Sequence, residues 1–548
     1  MKPQVNIAAL LCLAALCHEV RADQSSGLPA PSVLEAEHAH IGTITVRAAE
    51  IFDTADPKEN NWLFRTANRL HVDTHESAIR AQLLFKSGDV YSRKLLDETE
   101  RNMRQLDFLR EPKIIEVAYH DGLVDLLVFT HDVWTLQPGV SFSRSGGSNR
   151  SSIEYADQNL FGRGKSLQFG RSSDVERTSN YFDWRDPNVW GSHFRDSIDY
   201  TNSDDGYSWH VDAERPFFAL ATQLSGGINT GSSLSLIPRY QLGQVYDRYQ
   251  VYTEQSQLEF GWRLPSSTHW TERMTYELRH DYTEFTLAPT GETLLPLPSD
   301  RKLNYPYLRY DLVEDEFHTT SNLNQIARTE DLHYGWSGGV GVGLASGVFG
   351  ADRHAWLVDT TVLYGHEFSD RQSVFWELDW SGRREFQQWH NALSTLDLSY
   401  FYKTSANTRF IAHLNGDSIH LPDGDNWLDL GGDNGLRGYP LHYQQGDGRA
   451  LITLEERLYT NYYLLQLLHV GAAVFFDAGR TWGANPAGTP QLGWLRDVGI
   501  GLRLGNSRTS FGNVVHIDLA APLDVDGNIT GARKISRLQL LIGTQASF

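Results

Sequence analysis

Three short motifs contain residue types that catalyse reactions or bind metals in other proteins. The segment Gly335–Gly339 (GWSGG) matches the G-x-S-x-G turn of serine hydrolases, but that turn requires a helix behind it, and no helical period follows Ser337. His38 and His40 could hold a metal ion, and the acidic segment Asp423–Asn426 (DGDN) looks like the start of a calcium loop. Neither is accompanied by the remaining ligands that a zinc or EF-hand site needs. We therefore predict that the chain is not an enzyme and has no catalytic residue, metal or cofactor.

The composition argues against polyanionic partners. The 548 residues include 48 basic and 68 acidic side chains, and the net charge of −20 argues against general binding to nucleic acid or to an anionic membrane surface. Aromatic residues make up 12% of the chain. Trp and Tyr favour the interfaces of membranes, so this enrichment fits a chain that meets lipid.

Residues 1–22 are typical of a cleavable secretory signal. Their apolar run, Ile7–Cys17, is too short to span a bilayer as a helix, so a retained membrane anchor is the weaker interpretation. Both cysteines of the chain, Cys12 and Cys17, lie in this segment, which leaves no thiol chemistry in the mature protein. Residues 23–40 form a short polar lead.

The next segment, residues 41–135, predicts a small α+β domain in the order β-α-α-β-β. Ile41–Asp53 has the pattern of a strand, and two helical patterns follow, the first beginning with a capping box at Asp73. A hairpin of Lys113–His120 and Leu123–His131 closes the unit.

From Pro138 onward the helical period gives way to segments of roughly 10 residues that alternate between apolar and polar side chains. Trp376 and Leu378, for example, alternate with Glu377 and Asp379. The apolar face is rich in Trp and Tyr, and the polar face carries ionisable groups, which favours a membrane barrel with a wet lumen over a soluble sandwich. We predict that residues 138–548 form a transmembrane antiparallel β-barrel of 16 strands, at about 26 residues for each strand and its connection.

One loop contains the most specific motif. Gly431–Pro440 (GGDNGLRGYP) resembles the motif of POTRA-domain outer-membrane assembly and secretion barrels, the superfamily of BamA, TamA and the two-partner-secretion transporters, also called the bacterial surface antigen family. Leu454–Arg457 (LEER) and Phe476–Gly479 (FDAG) are similar to the segments that this family has on the next two strands. Residues 75–136 resemble a POTRA domain joined directly to its barrel, so the resemblance implies that residues 41–135 are a single POTRA domain.

The resemblance also implies that this loop folds back into the barrel and is held there. The implied loop-lock residues are Gly435, Leu436, Arg437, Gly438 and Tyr439. The alternating register puts Glu455 and Asp477 on the lumen side of their strands. We therefore expect Arg437 to bridge both carboxylates, because its planar fork donates to two acceptors at once.

The function implied by the resemblance is that of an outer-membrane translocase or insertase, with its POTRA domain in the periplasm. POTRA domains bind polypeptide clients by adding a strand to a sheet edge. The client-binding edge predicted here consists of Ile114, Ile115, Glu116 and Val117. The client then crosses through the lumen or leaves sideways into the membrane between the first and last strands, and the sequence leaves both routes open.

The last strand carries a predicted signal for insertion of the barrel into outer-membrane lipid by an assembly machinery. Its residues are Leu540, Ile542 and the terminal Phe548. The alternative function is a passive pore or a structural surface barrel without client transport. An attached catalytic domain is excluded, because residues 23–40 are too few to form one.

Overall fold

A computed structural model gives the structure of residues 28–485, 487–488, 490–510, 514–524 and 532–545. The predicted signal, residues 1–22, and the terminal Phe548 lie outside these described residues. Among the helices in these ranges, none is both long enough and apolar enough to cross a membrane.

The N-terminal domain is built on a three-stranded sheet. Its helices are α1 (Pro31–Ala36), α2 (Trp62–Leu70), α3 (Glu76–Arg80) and α4 (Arg93–Arg104), and its strands are β1 (His40–Ala49), β2 (Leu109–His120) and β3 (Leu123–Asp132). The central strand β3 runs parallel to β1 and antiparallel to β2, so β1 and β2 are the two edges. The amphipathic helix α4 buries Leu96 and Met103 in the core beneath the sheet.

The order β-α-α-β-β that was predicted for residues 41–135 as a POTRA domain is wrong. The observed order is α-β-α-α-α-β-β, because α1 precedes the sheet and α2 is an additional helix. The Asn61 side chain accepts a hydrogen bond from the Phe64 N–H and so begins α2, and Phe64 stacks on Phe52 at a centroid distance of 4.0 Å. Asp73 does not cap a helix; α3 begins at Glu76 without a side-chain cap.

The remaining strands form a closed antiparallel sheet with two small hairpins inserted in it. The closed sheet begins with β4 (Leu136–Ser145), β5 (Ser148–Asp157), β6 (Ser166–Ser173), β7 (Thr178–Val189), β8 (Phe194–Ser203), β9 (Gly206–Arg215), β10 (Leu224–Gln241), β11 (Gln244–Arg263), β12 (Trp270–Leu287) and β13 (Arg301–Glu314). Two strands that pair only with each other follow, β14 (Phe317–Ser321) and β15 (Thr329–His333).

The second half of the sheet contains the other inserted hairpin. The sheet resumes with β16 (Gly335–Ala345), β17 (Ala355–Ser369), β18 (Gln372–Glu385), β19 (Gln388–Tyr402) and β20 (Thr408–His420). The inserted pair is β21 (Leu428–Leu430) and β22 (Gln444–Gly446). The sheet ends with β23 (Gly448–Leu464), β24 (Leu468–Trp482), β25 (Leu495–Asn506), β26 (Val514–Pro522) and β27 (Gln539–Gln545).

The barrel has 20 strands, so the predicted number of 16 is wrong. Several hairpins are joined by only two residues, such as Gly146-Gly147 between β4 and β5, and Phe386-Gln387 between β18 and β19. The average strand with its connection is therefore shorter than the predicted length of about 26 residues. Two-residue turns of this kind need positive φ angles, and Gly146 (52°), Gly147 (76°), Phe386 (44°) and Gln387 (75°) all have them.

The direction of the strands defines two ends of the barrel. We call the end at which β4 begins the proximal end, and the opposite one the distal end. The N-terminal domain lies against the proximal end, where Asn102 Nδ2 donates to the Phe218 carbonyl at 2.9 Å and Arg508 Nη1 donates to the Ile51 carbonyl at 2.7 Å.

The two faces of the barrel wall differ as the alternation predicts. Along β23, Glu455 is buried on the lumen side, while Leu454 and Leu458 are exposed on the outside. Aromatic rings cluster on the outer face near the proximal end: Trp336 lies 4.4 Å from Tyr364 and 5.5 Å from Trp376 between ring centroids. Such a group is typical of the aromatic girdle of a membrane barrel.

The ring of strands closes at a seam between the last strand, β27, and the first, β4. Among the described residues of these two strands, one residue pair joins them, Ile542 with Arg144. By contrast, β4 pairs with β5 along its whole length, from Leu136 to Ser145.

Candidate functional site

The loop between β20 and β23, residues 421–447, folds from the distal end into the barrel. Leu436 and Tyr439 are fully buried and pack in an apolar cluster with Leu430, Leu451 and other residues of the loop and wall. Because this burial removes two large side chains from water, it favours the inserted position of the loop by a few kcal/mol, at about 1.5 to 3 kcal/mol for each side chain.

The glycines of the motif are required by close approach and by backbone conformation. Gly435 has φ +119°, which other residues rarely adopt, and a Cβ there would lie 2.1 Å from Leu451 Cδ2. A Cβ on Gly438 would lie 2.7 Å from Asp497 Cβ. The backbone N–H of Gly438 instead donates to Asp497 Oδ2 at 2.9 Å. The motif therefore combines a sharp bend with a backbone contact to the wall.

Arg437 is buried among carboxylates of the barrel wall. Its Nε and Nη2 donate to the two oxygens of Asp477 at 2.7 and 2.9 Å, and its Nη1 donates to Glu455 Oε2 at 3.0 Å and to Asp518 Oδ2 at 3.2 Å. The guanidinium also lies over the Phe475 ring, 3.3 Å from its centroid. We call Arg437, Glu455, Asp477 and Asp518 the lock cluster.

Two further arginines neutralise the same acids. Arg457 Nε donates to Glu455 Oε1 at 2.7 Å, and Arg503 Nη2 donates to the same oxygen at 3.1 Å. Arg503 also donates to Asp518. Because Glu455 is fully buried and accepts from three guanidinium groups, it is the central acceptor of the cluster.

Tyr439 anchors the loop beyond the lock cluster. Its hydroxyl lies 2.9 Å from the carbonyl oxygen of Arg496 and 3.1 Å from that of Asp524, so its one hydrogen is shared between these two acceptors. Arg496 lies at the distal end of β25, and Asp524 follows the distal end of β26. The loop thus contacts four neighbouring strands of the wall, β23 to β26, from inside the lumen.

Sequence reasoning named Glu455 and Asp477 as partners of Arg437, and the structure places both in contact with it. It missed Asp518, Asp497 and Arg503 as members of the network. The alternation along β26 does put Asp518 on the polar face, so a systematic search of lumen-facing acids would have found it.

The predicted client-binding edge belongs to the edge strand β2. Ile115 and Val117 are 47% and 49% exposed, whereas Ile114 is buried. The backbone of Ile114 is already occupied from α4: its N–H donates to Glu100 Oε1 at 2.6 Å, and its carbonyl accepts from Arg93 Nη1 at 3.3 Å. Glu116 accepts hydrogen bonds from Tyr91 and Arg93. A client strand that adds here must displace side chains of α4.

The terminal-strand residues lie beside the seam. Leu540 is exposed on the outer face of β27, and Ile542 pairs with Arg144. Phe548 lies outside the described residues.

The motifs that resemble hydrolase and calcium sites lie in barrel strands or in ion pairs. Ser337 lies within the barrel strand β16 and not on a strand-to-helix turn. Asp423 is paired with Arg383 at 2.8 Å and Asp425 with Arg301 at 2.6 Å.

One cluster of metal-ligand residue types was not identified from the sequence. It consists of His71, Asp73 and Asp132, whose ligand atoms lie within 4.8 Å of one another. His71 and Asp132 already form a direct pair at 2.9 Å. These last three residues lie where the N-terminal domain joins the barrel.

Comparison with known proteins returned similarities only among solved structures. No family model matches the chain, and no curated protein matches it. CdiB from Acinetobacter baumannii has 13% identity and a TM-score of 0.46, over 93% of this chain and 73% of the other. CdiB from Escherichia coli has 12% identity and a TM-score of 0.45, over 91% and 75% of the two chains.

BamA from Haemophilus ducreyi lacking POTRA domains 1–3 has 13% identity and a TM-score of 0.38, over 91% of this chain and 84% of the other. At this level of identity, with TM-scores below 0.5, the likeness alone assigns neither an activity nor a substrate.

Proposed function

We propose that this protein is an outer-membrane transporter of polypeptides, of the superfamily that contains BamA, TamA and the two-partner-secretion transporters. The observation that carries the proposal is the loop with the Leu-Arg-Gly-Tyr motif, docked inside a closed barrel by the buried contacts of Arg437.

The location in the outer membrane is supported by the barrel wall. The outer face is apolar and carries an aromatic cluster around Trp336, while ionisable groups line the lumen. We place the N-terminal domain in the periplasm, because the predicted signal would deliver the chain there before insertion. Insertion itself would be carried out by an assembly machinery that binds the terminal strand β27.

Client binding is assigned to the edge strand β2. An added strand gains main-chain hydrogen bonds along an edge whose exposed side chains, Ile115 and Val117, are apolar, so the site would accept many client sequences. It would lie at the proximal mouth, beside the lumen.

Two routes lead from that mouth. A route into the membrane is supported by the seam, where one residue pair joins β27 to β4 within the described part of the two strands. A route across the membrane is supported by the polar cavity of about 980 Å³ that remains in the lumen beside the same seam, lined by residues such as Ser143, Arg150 and Asp183. A passive pore is the weaker function, because the distal loop occupies the lumen where a pore would be open.

Site-specific photocrosslinking tests the proposal. A photoreactive amino acid replaces Ile115, and in the control it replaces Leu63, which is 48% exposed on α2 away from the edge strand. We expect periplasmic polypeptides to crosslink at residue 115 and not at residue 63. Absence of adducts at residue 115 in correctly inserted protein would rule out client binding at this edge.

A further inference from the structure

The connection between β13 and β16 forms a hairpin at the proximal end of the barrel. It comprises residues 315–334 and contains β14 and β15, which pair with each other and not with the barrel wall. The other proximal connections between described barrel strands are shorter, from residues 370–371 to residues 158–165 and 216–223. We call residues 315–334 the proximal hairpin.

The tip of the proximal hairpin lies inside the lumen. Leu323 is 2% exposed and packs against Phe401 and Ile411, on the lumen side of β19 and β20. Ile326 is 5% exposed and lies against Gly505 of β25, where an added Cβ would be 2.7 Å from Ile326 Cβ. Because β19 and β25 are separated by several strands of the ring, the tip reaches across the mouth.

Polar contacts fix the tip to lumen arginines. Arg409 Nη2 donates to the Ser321 carbonyl at 3.2 Å, and Arg457 Nη1 donates to the Leu323 carbonyl at 3.4 Å. Arg457 also donates to Glu455 of the lock cluster. The hairpin from the proximal end and the loop from the distal end are therefore connected through Arg457 and Glu455, because Glu455 also accepts from Arg437 of the loop.

The N-terminal domain holds the other side of the hairpin. Arg104 of α4 forms a bidentate pair with Asp331, with both N–O distances at 2.7 Å, and the pair is largely buried. Glu111 Oε2 accepts from the Thr329 hydroxyl at 2.9 Å.

The same helix connects the hairpin to the edge strand. Glu100 accepts from the backbone N–H of Ile114 at 2.6 Å, and its other oxygen accepts from Arg104 Nη1 at 3.4 Å. A strand added at Ile114 takes over that N–H, frees Glu100, and so alters the surroundings of Arg104. Client docking and the hairpin contact thus share one side chain.

We propose that the proximal hairpin is a resident plug, latched to α4 by the Arg104–Asp331 pair, and that strand addition at β2 releases it. This inference rests on the proposed function in one respect, namely that a client polypeptide is what breaks the Arg104–Asp331 pair. Closure of the mouth by the hairpin and its release when the latch is broken are properties of the protein without a client.

Thiol accessibility tests the plug directly. Residues 28–548 contain no cysteine, so Ile411→Cys is a unique probe beneath the hairpin tip. In protein reconstituted with its N-terminal domain outside the vesicle, we expect a membrane-impermeant maleimide to label this cysteine slowly. Asp331→Asn should speed labelling at least tenfold, and replacement of residues 317–333 by a short Gly-Ser turn should speed it further.

Two controls make the result specific. Asp352→Asn removes a similar carboxylate, paired with Arg353 at the distal end, and should leave the labelling rate unchanged. The charge exchange Arg104→Asp with Asp331→Arg should restore slow labelling. Folding of each variant is checked by the change in gel mobility that heating causes in a folded barrel. Equal labelling rates in the folded parent, in Asp331→Asn and in the hairpin replacement would overturn the plug.

A crosslink provides the test if the hairpin replacement does not fold. The pair Ile326→Cys and Gly505→Cys brings two Cβ atoms close to the roughly 3.8 Å separation of a disulfide after a small shift. Formation of the crosslink under mild oxidation supports the plugged position, and failure to form it overturns that position. Slow labelling with a latch-dependent rate, but without polypeptide adducts at residue 115, would refute the proposed function and leave the plug intact.

Discussion

Removal of the Arg437 guanidinium should release the distal loop from the lumen. In Arg437→Ala, the carboxylates of Glu455, Asp477 and Asp518 lose four hydrogen bonds between 2.7 and 3.2 Å. Glu455 keeps Arg457 as a partner, but the described contacts of Asp477 with a cation all come from Arg437.

Breaking a buried ion pair by removing one partner costs about 3 to 5 kcal/mol. This energy corresponds to a shift of roughly a hundred-fold to a few thousand-fold in the equilibrium between docked and released loop. Arg437→Lys keeps the charge but loses the bidentate contact with Asp477, so its effect should be intermediate.

The assay is the reaction of a single cysteine at Leu436→Cys, which is fully buried in the docked loop, with an impermeant maleimide added at the distal side. We expect labelling at least a hundred times faster in the Arg437→Ala background. The matched control is Arg309→Ala, because Arg309 pairs with Asp311 and Asp359 elsewhere in the lumen. Equal labelling of Leu436→Cys with and without Arg437 would refute the lock reasoning.

Three other predictions address the seam, the anchor of the loop and the N-terminal domain. A disulfide between Arg144→Cys and Ile542→Cys should block transport reversibly if clients leave through the seam; unaffected transport would show passage through the lumen. Tyr439→Phe removes one hydroxyl with two carbonyl acceptors and should weaken loop docking by about 1 to 2 kcal/mol, measured by the same cysteine assay. Burial lowers the pKa of His131 to about 4, with a further contribution from nearby arginines. Because the unfolded state then binds the proton first, the domain should lose stability, by at most roughly 3 kcal/mol, as the pH falls from about 6.5 to about 4. Hydrogen exchange in β3, corrected for intrinsic rates, should show this loss in the parent and not in His131→Gln.

The lumen side of each barrel strand could be predicted from the sequence because the side-chain period of a strand is two. Once Glu455 and Asp477 are placed on polar faces, a motif arginine carried by a loop between neighbouring strands has few other acids to reach. Asp518 follows the same rule, since it alternates with Ile517 and Leu519.

The strand number and the hairpins could not be predicted in the same way. A two-residue turn such as Phe386-Gln387 leaves no gap in the alternation, so two strands look like one polar-apolar stretch. That β14 and β15 leave the wall is shown by the contacts of Leu323 and Asp331, which are tertiary contacts that the sequence does not display. In the N-terminal domain, α2 depends on the Asn61 cap and on stacking of Phe64, which is a tertiary contact.

Electron cryo-microscopy of the protein in lipid nanodiscs tests the central claim most directly. The account predicts a closed barrel embedded in the disc, with the Arg437 guanidinium inside it and within about 3 Å of the Asp477 carboxylate. A barrel whose loop 421–447 extends outward, with Arg437 in bulk water, would contradict it.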